Sequence, residues 1–143
     1  MMEFLTKPKG FEESVDEAMR GLVSVRHEKS GSFIDTPLMY PSGGSIVVWV
    51  RREEPHFLVS DFGFAFKECA IMGADRRQFL TRAETVAEAA GVKISQAGAF
   101  EIVASEGQLK GAIKAVANCA QEAALHARSW RMEHPRLHRR SDP

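Results

Sequence analysis

The chain lacks an excess of charge of either sign. Lysine and arginine together number 19, aspartate and glutamate also 19, so the formal net charge over 143 residues is zero. A protein built to coat DNA or RNA carries a basic surplus. Only a local basic patch remains open to this one. Cysteine is scarce as well. Cys69 and Cys119 stand in apolar helical surroundings, with no CxxC and no histidine pair beside them. That excludes a disulfide framework and points to packed thiols in a reducing compartment. Long apolar runs are missing. Nothing approaches the roughly 18 apolar residues of a membrane span. The opening MMEFLTKPKG has no signal-peptide core of about 7–15 apolar residues. The expectation is a cytoplasmic protein with no membrane contact and no cofactor. His126, His134 and His138 keep no zinc spacing with the cysteines. Asp61-Phe62-Gly63 matches a kinase tripeptide, but the glycine-rich loop, strand lysine and catalytic-loop motif that give it meaning are absent.

What is present is an ordinary globular composition, 44% apolar and 27% charged, at the length of one domain. Phe11, Val15, Ala18, Met19 and Leu22 recur at helical spacing and predict an amphipathic helix. Its early acids, Glu12, Glu13, Asp16 and Glu17, read as a solvated face near the positive helix end. Lys29-Ser30-Gly31 is a turn. Three strands follow, Ser32 to Met39, Ser45 to Arg52 and His56 to Ser60, separated by Pro41–Gly44 and by a turn around Glu53–Pro55. A short helix from Phe64 to Met72 stops at Gly73, and Asp75 caps a second helix striped by Phe79, Leu80, Ala83, Val86, Ala87 and Ala90. Val92–Ser95 and Ala99–Ala104 read as a further strand pair. Ser105 and Gln108 form a capping box ahead of the longest, alanine-rich helix. From Arg128 onward five arginines face two acids, with a proline and no apolar period. The predicted fold is α+β: an antiparallel sheet, made of a three-strand meander plus a two-strand hairpin, packed against helices in the order α-βββ-αα-ββ-α. One domain spans 1–130, and 131–143 is expected to be a disordered basic tail.

The polar residues of interest cluster between Ser32 and Gly63. Hairpin pairing predicts Thr36 and Pro37 beside Val48 on one side, and Asp61 beside Val48 on the other. One reading makes this a pocket: Asp61 supplies a carboxylate, Thr36 a hydroxyl, and Gly43-Gly44 backbone donors. Asp35 and Asp61 would then be a carboxylate pair for a divalent cation, with Glu53, His56 and Lys67 available to complete the site. The other reading is structural. Asp61 accepts backbone N–H groups at a strand-to-helix turn, and Thr36-Pro37 marks an edge or bulge, since proline cannot donate to a ladder. Arg136, Arg139 and Arg140 in the tail are candidates for weak contact with nucleic acid.

Thr36-Pro37, Gly44 before a β-branched strand, and Ser60-Asp61-x-Gly63 ending the next strand resemble an uncharacterised bacterial and phage family, the domain of unknown function numbered 1828. The resemblance covers residues 30 to 125. It implies a prokaryotic, often prophage-linked setting, candidate binding positions at Thr36, Pro37, Gly44, Ser60, Asp61 and Gly63, and no established activity. Where the family often reads Asp-Asp-Gly, this chain has Asp61-Phe62-Gly63. The order of elements is also similar to that of the small dimeric chaperones of type III secretion. Those are usually acidic, and fold analogy does not transfer function.

These observations predict a domain that acts by binding a protein, itself included, rather than by turnover. The expected contact is either the sheet edge or the alanine face of the last helix, where Ala112, Ala115, Ala120, Ala123 and Ala127 exceed what one stripe needs. The alternatives are a metal-dependent nuclease-like hydrolase using Asp35 and Asp61, a chaperone-like dimer, and a weak nucleic-acid adaptor.

Overall fold

The computed structural model describes residues 8–133, with side chains to residue 125. The β-branched run Ile46–Val50 lies inside β3 (Ser45–Glu53), the third strand of a six-stranded antiparallel sheet ordered β1-β2-β3-β4-β6-β5. The other strands are β1 (Ser24–Glu28), β2 (Gly31–Met39), β4 (His56–Ser60), β5 (Lys93–Ile94) and β6 (Phe100–Ala104). The helices are α1 (Phe11–Arg20), α2 (Phe64–Ile71), α3 (Arg76–Ala90) and α4 (Leu109–Glu133). The chain is therefore α+β, as the periodicities predict.

Two features differ from the expected order. First, Ser24–Glu28 is a strand, paired to β2 across Lys29-Ser30 with Arg26 opposite Phe33. All five of its residues are exposed. An edge strand held by backbone bonds needs no apolar alternation, so it left no periodic signal. Second, the late hairpin is not a separate unit. β6 pairs with β4, Val59 opposite Ile102, and joins everything into one sheet.

The β2–β3 register also differs. Met39 faces Ser45 as the hairpin predicts, but Asp35 faces Val47 and Ile34 faces Val48. Four residues of β2 thus match two of β3, the signature of a bulge. Its cause is Pro37, which has no N–H, followed by Leu38, whose N–H turns back to Thr36 Oγ1 at 3.3 Å.

α2, α3 and α4 cover one face of the sheet. Ile46, Val48, Val59 and Phe100 point into that layer and are fully buried, against Ala65, Cys69, Ala83, Val116 and Ala120. Asp75 caps α3 as predicted: its Oδ1 accepts the Gln78 N–H at 2.8 Å, and Gln78 Oε1 accepts the Asp75 N–H at 2.9 Å. α4 packs on β6, β3, β4 and β2 below and on α2 and α3 beside it. That enclosure explains its alanines. Ala112, Ala120 and Ala123 are buried within the chain's own core and Ala115 packs partly against it. The alanine face is thus an internal surface and not an open contact face; Ala127 lies beyond the described side chains.

The helix-free face carries an aromatic cluster. The Phe62 ring meets Trp49 at 5.0 Å and Phe33 at 5.9 Å. Gly31 makes this packing possible, since a Cβ there would lie 2.5 Å from the Val50 carbonyl oxygen and 2.7 Å from Trp49 Nε1. Arg26 and Arg51 lie over Phe33 and Trp49, but each is paired with a glutamate, Glu28 and Glu53. The face is therefore close to neutral and offers no basic stripe.

Candidate functional site

The polar constellation resolves into three separate places. The first is the turn from β4 into α2. Asp61 is fully buried. Its Oδ1 accepts the N–H groups of Gly63 at 3.0 Å and Phe100 at 2.9 Å, and its Oδ2 accepts that of Ala65 at 3.0 Å. The Asp61 N–H donates in turn to the Phe100 carbonyl at 3.0 Å. Burial pushes the Asp61 carboxyl above the usual carboxylate range, while the three backbone donors pull it down. Ser60 is buried and its hydroxyl accepts the Phe62 N–H at 3.0 Å. Gly63 supplies a left-handed residue at φ 79°. In this place the carboxylate ties the end of β4, the start of α2 and the start of β6 together.

Asp35 is not part of that turn. It shares a strand face with Phe33, which meets the aromatic cluster on the helix-free side. Asp61 lies in the core beneath the helices, so the two carboxylates stand on opposite sides of the sheet. Glu53 and His56 sit at the exposed β3–β4 turn. Among the described residues no group of three or more His, Cys, Asp or Glu side chains is placed to hold a metal ion. Arg136, Arg139 and Arg140 lie outside the described residues.

The second place is a small hollow of about 250 Å³ between the β2–β3 turn and α2, lined by Tyr40, Gly44, Lys67 and Glu68 among others. Gly44 belongs here. The Tyr40 hydroxyl is buried without a hydrogen-bond partner among the described residues. Burial first, then the neighbouring Asp61 and Glu68 carboxylates, raise its pKa and hold it neutral.

The third place is an apolar groove of about 880 Å³ at the β1 side of the sheet. It exists because α4 lies over the middle strands and leaves β1 and the outer part of β2 uncovered. Val23 and Val25 form one wall, and Ile34, Thr36, Pro37 and Leu38 form the floor. Leu109, Ile113 and Ala117 of α4 form the other wall, with Lys110 and Lys114 at its rim and Glu106, just before the helix, as the one acid of the lining. Thr36 contributes no free hydroxyl, since that group donates to the Ile46 carbonyl at 2.7 Å. Val23 and Val25 are about half exposed, at 48% and 51%. Neither lysine has an ion-pair partner among the described residues. Thr36 and Pro37 are the two sequence candidates that fall here. The others were not legible, because the lining is shared among separate elements, and β1 carried no period of its own.

Fold and site together define an α+β domain with an apolar groove of about 880 Å³ whose lining includes Lys110, Lys114 and Glu106. No family model, no curated protein and no solved structure matches the chain. Among the described residues no helix is long and apolar enough to cross a membrane.

Proposed function

We propose that the protein is a non-catalytic interaction domain that receives an amphipathic, acidic helix in the groove between β1, β2 and α4. The observation that carries this is the groove itself: an apolar concavity lined by two lysines and one acid, the lysines without an ion-pair partner among the described residues, of the kind that recognises helices by their apolar face. Asp61 belongs to the scaffold in this reading, since its carboxylate is already engaged by three backbone donors. The setting is the cytoplasm of a bacterium or its prophage. The resemblance of Ser32–Gly63 supports the source, and the two buried free thiols support the compartment.

The test is methyl NMR of the full chain during addition of a synthetic acidic amphipathic helix. Shifts confined to Val25, Ile34, Leu109 and Ile113 are expected, and Lys110→Glu with Lys114→Glu weakens them. The titration is repeated with Met19→Asp, which removes the chain's own apolar helix as a competitor. Silence of these methyls in both proteins sinks the proposal.

A further inference from the structure

α1 is a second apolar surface without a cover. All ten of its residues are exposed, and Phe11, the most extreme, is 83% accessible. Yet Phe11, Val15, Met19 and the following Leu22 form one stripe, about 16 Å long at the rise of an α-helix. By the same spacing Glu12 and Asp16 flank that stripe one turn apart. Lys110 and Lys114, one turn apart on α4, edge the groove. The helix offers an apolar stripe to an apolar groove, and two acids to a lining in which two lysines outnumber the one acid, Glu106.

The connection decides which copy of the helix enters. Helical hydrogen bonding continues past Arg20: the Gly21 N–H donates to Ala18 O and the Leu22 N–H to Met19 O, both at 3.1 Å. β1 begins at Ser24. Val23 alone is left to reverse the chain, and Val23 is itself part of the groove wall. α1 projects from the body because it has no loop with which to fold back, and a short hinge of this sort favours exchange between copies.

We infer that the groove of one chain is filled by α1 of a second copy, reciprocally, giving a two-fold dimer by helix exchange. This rests on the groove reading above and names its occupant. Each interface seats the stripe against Val25, Ile34 and Ile113 and sets Glu12 and Asp16 against Lys110 and Lys114.

Light scattering on the full chain is expected to give twice the 15.9 kDa chain mass. Met19→Asp alone and Ile113→Asp alone are each expected to be monomeric at concentrations where the unaltered chain is dimeric. An equimolar mixture of the two regains a dimer, because one unaltered helix then meets one unaltered groove. If Ile113→Asp fails to fold by circular dichroism, the exposed pair Lys110→Glu and Lys114→Glu replaces it. Its dimer is restored by Glu12→Lys with Asp16→Lys. A monomeric unaltered chain overturns the inference, as does a dimer indifferent to these substitutions or a mixture that stays monomeric. The two readings fail separately. A monomer whose groove methyls respond to a peptide of residues 9–23 ends helix exchange and keeps the groove, whereas a monomer with silent methyls ends both.

Discussion

The turn at Asp61 and the groove beside β1 are opposites. Asp61 is buried and engaged: three backbone N–H groups converge on its carboxyl, two on Oδ1 and one on Oδ2. The groove is apolar and open, with Val25 half exposed and two lysines that have no ion-pair partner among the described residues. In the sequence Asp61 reads either as chemistry or as a turn cap; in the structure its carboxyl is bonded to the backbone. Val23 and Val25 stand about half exposed beside Leu38, Leu109 and Ile113, which pack partly against the core. Burying a carboxyl is tolerable only where it is hydrogen-bonded, and at Asp61 the backbone supplies those bonds.

The contrast can be broken most forcefully at Asp61. Asp61→Ala leaves the buried N–H groups of Ala65 and Phe100 without that acceptor, each worth about 1–3 kcal/mol, and the part-buried one of Gly63 as well. The total is a large share of the roughly 5–15 kcal/mol that holds a domain together. Urea unfolding should show most of the stability gone. A loss below about 1 kcal/mol would mean the carboxylate is not scaffold. Next is Ala120, fully buried where α4 meets the core. Ala120→Leu overpacks that contact and should cost about 1–3 kcal/mol in the same assay. An unchanged midpoint would mean that α4 is not seated closely.

The thiols give a gentler test of the same interior. Burial pushes the Cys69 thiol up to about 12 and the Cys119 thiol to about 11. At a pH of about 8 both stay protonated and shielded, so a thiol-reactive probe should label neither until the chain unfolds. Rapid native labelling of either would show that the helical layer opens locally. The smallest effect belongs to the groove. Val25→Ser removes an exposed wall residue and should change stability by less than about 1 kcal/mol, while weakening uptake of a helix in the methyl titration. A large destabilisation would make Val25 core instead of surface.

Much of the fold was legible. The α3 and α4 periods, the Asp75 cap and the turns at Gly43-Gly44 and Gly91 follow from local spacing, and local spacing is what a sequence displays. What was hidden is non-local. β1 pairs by its backbone, so its side chains advertise nothing. The two-residue shift at Pro37 depends on how Leu38 redirects its N–H, which moved Thr36 from Val48 to the Ile46 carbonyl. The alanines of α4 suggested an external contact because nothing in the sequence says that α2 and α3 flank that helix. The groove is assembled from the β1–β2 hairpin and from α4, far along the chain, and no single window contains it.

The Asp61 carboxylate also imposes an order in time. Its bond to the Phe100 N–H joins residues 39 positions apart. The β1–β4 meander closes through short turns and can form from neighbouring chain alone. The end of β4 is secured only once two helices have passed and β6 has arrived beside it. Contacts of such sequence separation form late and slow the reaction. Until then β4 presents an unpaired edge, and the carboxylate that later anchors the core is still in water. During synthesis, the edge and end of β4 wait on a strand that has not yet been made.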